Sequence, residues 1–289
     1  MVARVRRFNR TVTQRVGVLQ DNYLARERPL GQSRVLWEIG DGADIRALRS
    51  RLDLDSGYLS RILRSLESDG LVVVATNEAD ARIRTVRLTG AGRAERALLD
   101  DRADDLARDV LSPLDPRQQQ RLVAAMAEVE RLLVASSVHI DVCPPRHPHA
   151  RAALRAYYTE LAQRFEDGFD PGRGIPATAA ELTLPAGLLL VATLHGEPVG
   201  CGGLMFHEDE PAHIKRMWVA PAVRGMGLGG RLLAELERHA AQHGVSTVRL
   251  ETNRSLTEAI AMYRARGYRE VPAFNDELYA HHWFEKDLS

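Results

Sequence analysis

Four glycines fall within six positions after an apolar, alternating stretch and before a helical pattern, in the run Arg224-Gly225-Met226-Gly227-Leu228-Gly229-Gly230. Glycine lets backbone N–H groups turn inward and approach an anion, and a helix N-terminus adds a positive dipole end. The spacing therefore suits a pyrophosphate. A bare Gly-x-Gly-x-x-Gly is a weak signal by itself, and without a Lys the loop is not a Walker motif. A second cluster lies far upstream. Ser56, Gly57, Tyr58, Ser60, Arg61 and Arg64 occupy one side of a helical repeat whose other side carries Leu59, Ile62, Leu63 and Leu66. Small residues let a helix approach closely, while hydroxyls and guanidinium groups donate to phosphates and base edges. Asp80, Arg82 and Arg84 follow at the tip of a predicted hairpin.

The elements that must hold these residues are legible from periodicity. A helix over 1–29 has Arg on one side and Val5, Phe8, Val12, Val16, Leu19 and Tyr23 at helical spacing, with Pro29 and Gly31 to stop it. Short helices are predicted at 32–39, 45–51 and 56–69, the last with Asp55 or Ser56 as N-cap and Gly70 at its end. Residues 71–75 and 82–88 read as strands around a polar turn at 76–81, and 91–109 and 116–135 as further helices. Three helices and a hairpin in this order make a winged helix-turn-helix, whose third helix enters the major groove. From about residue 136 strands and helices alternate. Strands are predicted near 138–142, 187–195, 198–206, 212–220, 246–252, 268–274 and 280–287, and helices at 149–165, 227–243 and 256–266. Two domains are expected: a mainly α winged helix with a β-hairpin wing over 1–136, and an α/β (α+β) domain over 137–289.

The run from Gly57 through Leu71, with Asp80-Ala81-Arg82 and Leu88-Thr89-Gly90-Ala91-Gly92, resembles the MarR family of dimeric regulators. The resemblance covers about residues 1–135. It implies double-stranded DNA as a partner, wing residues Asp80 and Arg82 that reach it, and a homodimer formed through the first and last helices.

The segment from His213 to Leu233 is similar to the acyl-CoA loop of the GNAT acetyltransferases. The likeness continues through Leu250-Glu251-Thr252-Asn253, through Ala259 to Tyr268, and upstream from Gly196 to Leu204. It implies a mixed sheet flanked by helices, with acetyl-CoA as co-substrate and an amine as acceptor. Backbone groups of Met217 and Val219 would pair with the pantetheine arm. Amides from Arg224, Gly225, Met226, Gly227, Gly229 and Gly230 would hold the pyrophosphate, and two adjacent strands would part to admit the thioester. Tyr263 matches the tyrosine that protonates the leaving thiolate. His213 stands where many relatives place a Glu base, and an imidazole of ordinary pKa ~6.5 can accept a proton there. Leu256 stands where many relatives carry Asn, which shifts attention to Asn253. The acceptor pocket is expected between the domain's first helices and its last hairpin, near Tyr279, His281, His282, Trp283 and Phe284.

Composition limits the alternatives. The 289 residues carry 39 Lys+Arg against 39 Asp+Glu, yet residues 1–99 hold 18 Arg against 12 acids, so a polyanionic partner is expected for the first part only. Two cysteines exclude a disulfide framework or a Cys-based zinc site. Strand alternation sends His281 and His282 to opposite faces, so no metal site is expected. No apolar stretch reaches the ~18 residues that span a bilayer, and a cytoplasmic protein without membrane contact is expected. The functional expectation is a DNA-binding transcriptional regulator fused to an acetyl-CoA-dependent N-acetyltransferase. The alternative is a non-catalytic transcription factor whose second domain senses acetyl-CoA or a small ligand.

Overall fold

A computed structural model describes residues 1–16, 28–76, 83–166, 168–208 and 211–288. The chain divides into two compact units, Met1–Glu128 and Val129–Ser289.

The first unit begins with α1 (Val2–Arg15), and the rest of the helix expected to residue 29 falls largely outside the described residues. There follow α2 (Leu30–Ile39), β1 (Ala43–Asp44), α3 (Ile45–Arg51), α4 (Ser56–Ser68), β2 (Val72–Thr76), β3 (Arg84–Leu88) and α5 (Gly90–Leu111), and α6 (Pro116–Ser136) begins in this unit and ends in the second. Side chains cap four of these helices, α6 through Asp115, whose Oδ1 accepts from the N–H groups of Arg117 and Gln118 at 2.8 and 2.9 Å. Asp44 accepts from the N–H groups of Arg46 and Ala47 at 2.7 and 2.9 Å, Asp55 from Tyr58 at 2.9 Å, and Thr89 from Gly92 at 3.0 Å. Each cap supplies a partner to an amide that the helix itself leaves unpaired. The three strands form one antiparallel sheet in the order β1-β3-β2. Leu59, Ile62, Leu63 and Leu66 of α4 are buried with Leu36, Ile39, Leu48, Val86 and Leu99. That buried stripe fixes which side of α4 faces outward. In contrast, α6 buries no residue, and Val123, Met126, Leu132 and Leu133 lie more than half exposed. Val5, Phe8 and Val12 on α1 are exposed as well.

In the second unit the elements are β4 (His139–Val142), α7 (Pro148–Arg164), β5 (Gly187–Leu194), β6 (Glu197–Met205), β7 (Ala212–Val219), α8 (Leu228–Gln242), β8 (Thr247–Thr252), α9 (Thr257–Ala265), β9 (Arg269–Val271) and β10 (His282–Asp287). The seven strands lie in the order β4-β5-β6-β7-β8-β10-β9, antiparallel except between β7 and β8. This is a mixed sheet with helices on both faces. Strand β5 explains its own composition: Leu188, Leu190 and Ala192 pack with α8 residues, whereas Leu189 and Val191 pack with Ala150 and Ala153 of α7. A strand covered on both sides has no solvent face, so it reads as a continuous apolar run. No helix among the described residues is long and apolar enough to cross a membrane.

Candidate functional site

Two features of β7 open the centre of the sheet. First, β7 pairs with β8 only at Ala212↔Val248 and His213↔Arg249, after which the strands part. β8 remains paired with β10, and β7 remains paired with β6. Second, the register between β6 and β7 shifts between Cys201 and Gly203, and Arg216 takes a left-handed backbone with φ +58°. A bulge inserts an extra residue and re-aims the side chains beyond it. Ile214 and Met217 accordingly pack with the α8 core, while Lys215 and Arg216 both line a cavity against α7.

The Gly-rich loop lies at the C-terminal end of β7. Gly225 and Gly227 both have φ +76°, a conformation that side chains resist, and Gly227 is the N-cap of α8. The first amides of α8 have no partner inside the helix. Loop and helix border a cleft of about 510 Å³ lined also by Met217, Val219, Leu256, Met262, Tyr263 and Arg266. Of the residues expected to hold a pyrophosphate and its arm, Met217, Val219, Arg224, Gly225, Gly227, Gly229 and Gly230 line this cleft. Met226 packs its side chain against the core instead, leaving only its backbone to the loop.

The spacing of the glycine loop gives no sign of the residues that α7 brings to the same cleft. Glu160 accepts from both sides of the loop: Arg224 Nη2 lies 2.5 Å from each carboxylate oxygen, and Trp218 Nε1 lies at 2.9 Å. Burial alone pushes the Glu160 carboxyl up, but the hydrogen bonds from Arg224 and Trp218 outweigh it and hold the group below its usual range. Arg224 Nε also donates to the Val219 carbonyl at 3.0 Å. The loop gives no sign of Arg266 either. It reaches back over Gly230, where a Cβ would stand 2.2 Å from its guanidinium. A Glu on a helix more than sixty residues upstream carries no local signal of this pairing.

A second cavity adjoins this cleft where the strands part, with Tyr158, Phe165, Phe169 and Tyr279 among its walls. Tyr263, Tyr157, Met217 and Leu256 line both spaces. Burial raises the Tyr263 phenol above its ordinary pKa, and the nearby Glu251 charge adds to that. The hydroxyl therefore keeps its proton at neutral pH. Asn253 lines this second cavity, with Nδ2 donating to the Tyr279 carbonyl at 2.7 Å and Oδ1 accepting from Ser255 N–H at 2.9 Å. It does not line the glycine-loop cleft.

His213 lines neither space. Its Nε2 hydrogen-bonds the Glu251 carboxylate, which also accepts from Lys215 Nζ at 2.6 Å. Glu251 does line the second cavity. Burial would raise its carboxyl, yet His213 and Lys215 together bring it down to about 2. Of the aromatic run near the C-terminus, Tyr279 alone reaches this cavity. Phe284 is in the core, Trp283 Nε1 donates to Asn275 Oδ1 at 2.8 Å, and His282 Nδ1 meets Glu270 Oε1 at 2.6 Å. Among the described residues no group of three or more His, Cys, Asp or Glu is placed to hold a metal ion.

In the first unit, Ser56, Gly57, Tyr58, Ser60, Arg61 and Arg64 are all exposed along α4. The Arg61 guanidinium lies 5.8 Å from the Tyr58 ring centroid, and Arg64 Nε donates to the Ser60 carbonyl at 3.2 Å. Arg84 on β3 shares a concavity with Ser56 and Ser60, whereas Asp80 and Arg82 lie outside the described residues. Arg46 and Arg49 of α3 border the same concavity. They were not anticipated, although their three-residue spacing around buried Leu48 puts both on the outer face.

A family model described as the acetyltransferase (GNAT) family matches residues 154–268, and one described as the MarR family matches residues 27–83. An IAA acetyltransferase of Azospirillum brasilense is 38% identical over 86 residues, 29% of this chain and 56% of the relative. An aminoalkylphosphonate N-acetyltransferase of Salmonella typhimurium is 32% identical over 113 residues, 37% of this chain and 68% of the relative. The HTH-type transcriptional regulator TtmR of Methylorubrum extorquens is 39% identical over 66 residues, 23% of this chain and 33% of the relative. The chain spans about half the length of the first curated relatives it matches.

Proposed function

The chain belongs to the GNAT acetyltransferase family and carries, ahead of that domain, one that matches the MarR family, and on that premise we propose a DNA-binding transcriptional regulator joined to an acetyl-CoA-dependent N-acetyltransferase acting on an amine. The observation that carries the catalytic part is the opening between β7 and β8. It lies beside the glycine loop and has Tyr263 on the wall of both spaces.

In this reading the loop amides and the α8 N-terminus hold the pyrophosphate of acetyl-CoA, and the free edge of β7 at Met217 and Val219 takes the pantetheine arm. The thioester then sits at the junction of the two spaces, with the amine approaching from the aromatic side. Tyr263 gives its proton to the departing CoA thiolate. A phenol kept neutral by burial is suited to that role. Glu251 borders the amine's cavity as a carboxylate too acidic to keep a proton near neutral pH. Held ionised by His213 and Lys215, it accepts a hydrogen bond from the incoming amine, whose proton leaves to water as the nitrogen attacks the thioester. His213 acts through Glu251: its Nε2–H donates to that carboxylate from outside the cavity and positions it.

On the DNA side, α4 presents Ser56, Tyr58, Ser60, Arg61 and Arg64 to the major groove, with Gly57 permitting close approach. Arg84 reaches the backbone from β3, and the resemblance to the MarR family implies the same role for Arg82, which lies outside the described residues. The exposed apolar faces of α1 and α6 are what a homodimer through the first and last helices would cover. Acetyl-CoA should raise the melting temperature of the full chain by mass action, and Arg224→Glu should abolish most of the shift. A gel-shift assay on the chain's own upstream region, run beside it, tests the DNA half. An undiminished melting shift in Arg224→Glu would move the acetyl-CoA site elsewhere.

A further inference from the structure

The second cavity contains a cation whose environment is incomplete. Arg216 occupies the bulge of β7 in a left-handed conformation, which a non-glycine residue holds only when its surroundings impose it. Without the extra residue, its side chain would follow Ile214 into the apolar core against α8. The bulge turns it to the α7 side. There the guanidinium lies 5.0 Å over the Tyr158 ring, and Nη2 donates to the Ala177 carbonyl at 2.9 Å. Its Nε is buried with no hydrogen-bond partner among the described residues. A buried, unsatisfied donor on a charged group is costly, so a fold that retains one calls for an explanation.

The other charges on this wall are already matched. Lys215 bridges Glu251 at 2.6 Å and Glu277 at 3.6 Å, and Glu277 also accepts from the Ile175 N–H at 2.8 Å. Arg216 has no ion-pair partner among the described residues. Around it, Tyr158 stacks on Phe169 with centroids 5.9 Å apart, and Phe169 meets Tyr279 at 4.9 Å, giving a carbon skeleton apolar walls. Planar guanidinium donors match the oxygens of a carboxylate or phosphonate, and such charge-assisted bonds are among the stronger ones available.

We propose that the acceptor is an amine that also bears an anionic oxygen group, a carboxylate or a phosphonate, and that Arg216 is the residue that reads that group. The proposal rests on the acetyltransferase reading and narrows its substrate class. Arg216 acts here as a specificity residue: it engages a part of the acceptor that does not react.

The test pairs each anionic amine with the same skeleton lacking the anion: alanine with ethylamine, phenylalanine with phenethylamine, and 2-aminoethylphosphonate with ethylamine. Thiol release from acetyl-CoA is followed with the full chain, and the melting shift given by acetyl-CoA is measured alongside. At least one anionic member should exceed its partner in kcat/KM on the order of 10–100-fold, mostly through KM. The carboxylate and phosphonate arms separate the two sources of the anion. Arg216→Gln should remove the preference while keeping the acetyl-CoA shift, and Arg216→Lys should restore part of it. The Lys variant also covers a Gln variant that fails to fold. A wild-type chain with the melting shift but no preference, including no turnover of any anionic amine, overturns this proposal alone. A preference that survives in Arg216→Gln does the same. A wild-type chain with no melting shift overturns the acetyltransferase reading, and this proposal with it.

Discussion

Glu160 places a carboxylate inside the cleft where a pyrophosphate is proposed to bind, tied to the guanidinium that leads the loop. A bound pyrophosphate must therefore compete with Glu160 for Arg224 and also tolerate its charge. Glu160→Gln removes that charge but keeps an oxygen able to accept from Trp218 Nε1. The two side chains are 17% and 37% exposed, and because Arg224 passes one third, the pair is discounted to the strength of a surface ion pair, about 0.5–1 kcal/mol. If that stabilisation is lost on ligand binding, its removal beforehand should tighten CoA binding about two- to fivefold. The free protein should lose a similar amount of stability, so the variant is predicted to be less stable alone and a better binder. Titration calorimetry with CoA at low and high salt measures this directly. The gain should shrink at high salt, where exposed charges are screened. Weaker or unchanged binding of CoA by Glu160→Gln at low salt would refute the competition and make Glu160 a positioning residue for Arg224.

Two further outcomes follow from the same geometry. Burial would raise Glu251, but His213 and Lys215 bring it from an ordinary 4.5 down to about 2. A depressed folded pKa contributes stability that is fully present above the unfolded value and is lost as pH falls through the folded one. Urea unfolding should therefore show about 3 kcal/mol disappearing between roughly pH 5 and pH 2, and Glu251→Gln should flatten that limb. An unaltered acid limb would show that the depression is not a feature of the folded protein in solution. On DNA, Arg49→Ala and Arg84→Ala should each reduce the slope of log affinity against log salt by about one, as expected for a lost phosphate contact. Unchanged slopes in both variants would remove the concavity beside α4 from the interface.

Much of this arrangement was legible because it is local. The α4 stripe of Leu59, Ile62, Leu63 and Leu66 is a helical period that any partner would bury, and the glycines at 225 and 227 mark a backbone that other residues resist. What escaped depends on register or distant partners. The bulge at Arg216 is a property of two strands together, since it exists only where β7 gains a residue against β6. Nothing in the run Ile214-Lys215-Arg216-Met217 announces that Lys215 and Arg216 will share a side. Glu160 and Arg266 reach the glycine loop from helices on either side of it in the chain, so spacing within the loop could not include them. His213 was visible as a polar residue on a strand, but the carboxylate between it and the cavity comes from β8. The C-terminal aromatic run illustrates the same limit: β10 begins only at His282, which leaves Tyr279 free to face the cavity and sends Phe284 inward.

Acetyl transfer with Tyr263 as the acid, as proposed above, is open to a direct test. Tyr263→Phe keeps the ring that packs beside Tyr268 and Phe284 and removes only the hydroxyl. Thiol release from acetyl-CoA should be measured over the amine panel, wild type beside Tyr263→Phe, with the acetyl-CoA melting shift as a control for folding and binding. In Tyr263→Phe, kcat should fall roughly 10²–10⁴-fold while the melting shift is retained. Equal turnover by the two proteins, or a wild-type chain that binds acetyl-CoA and releases no thiol with any amine, would contradict that proposal.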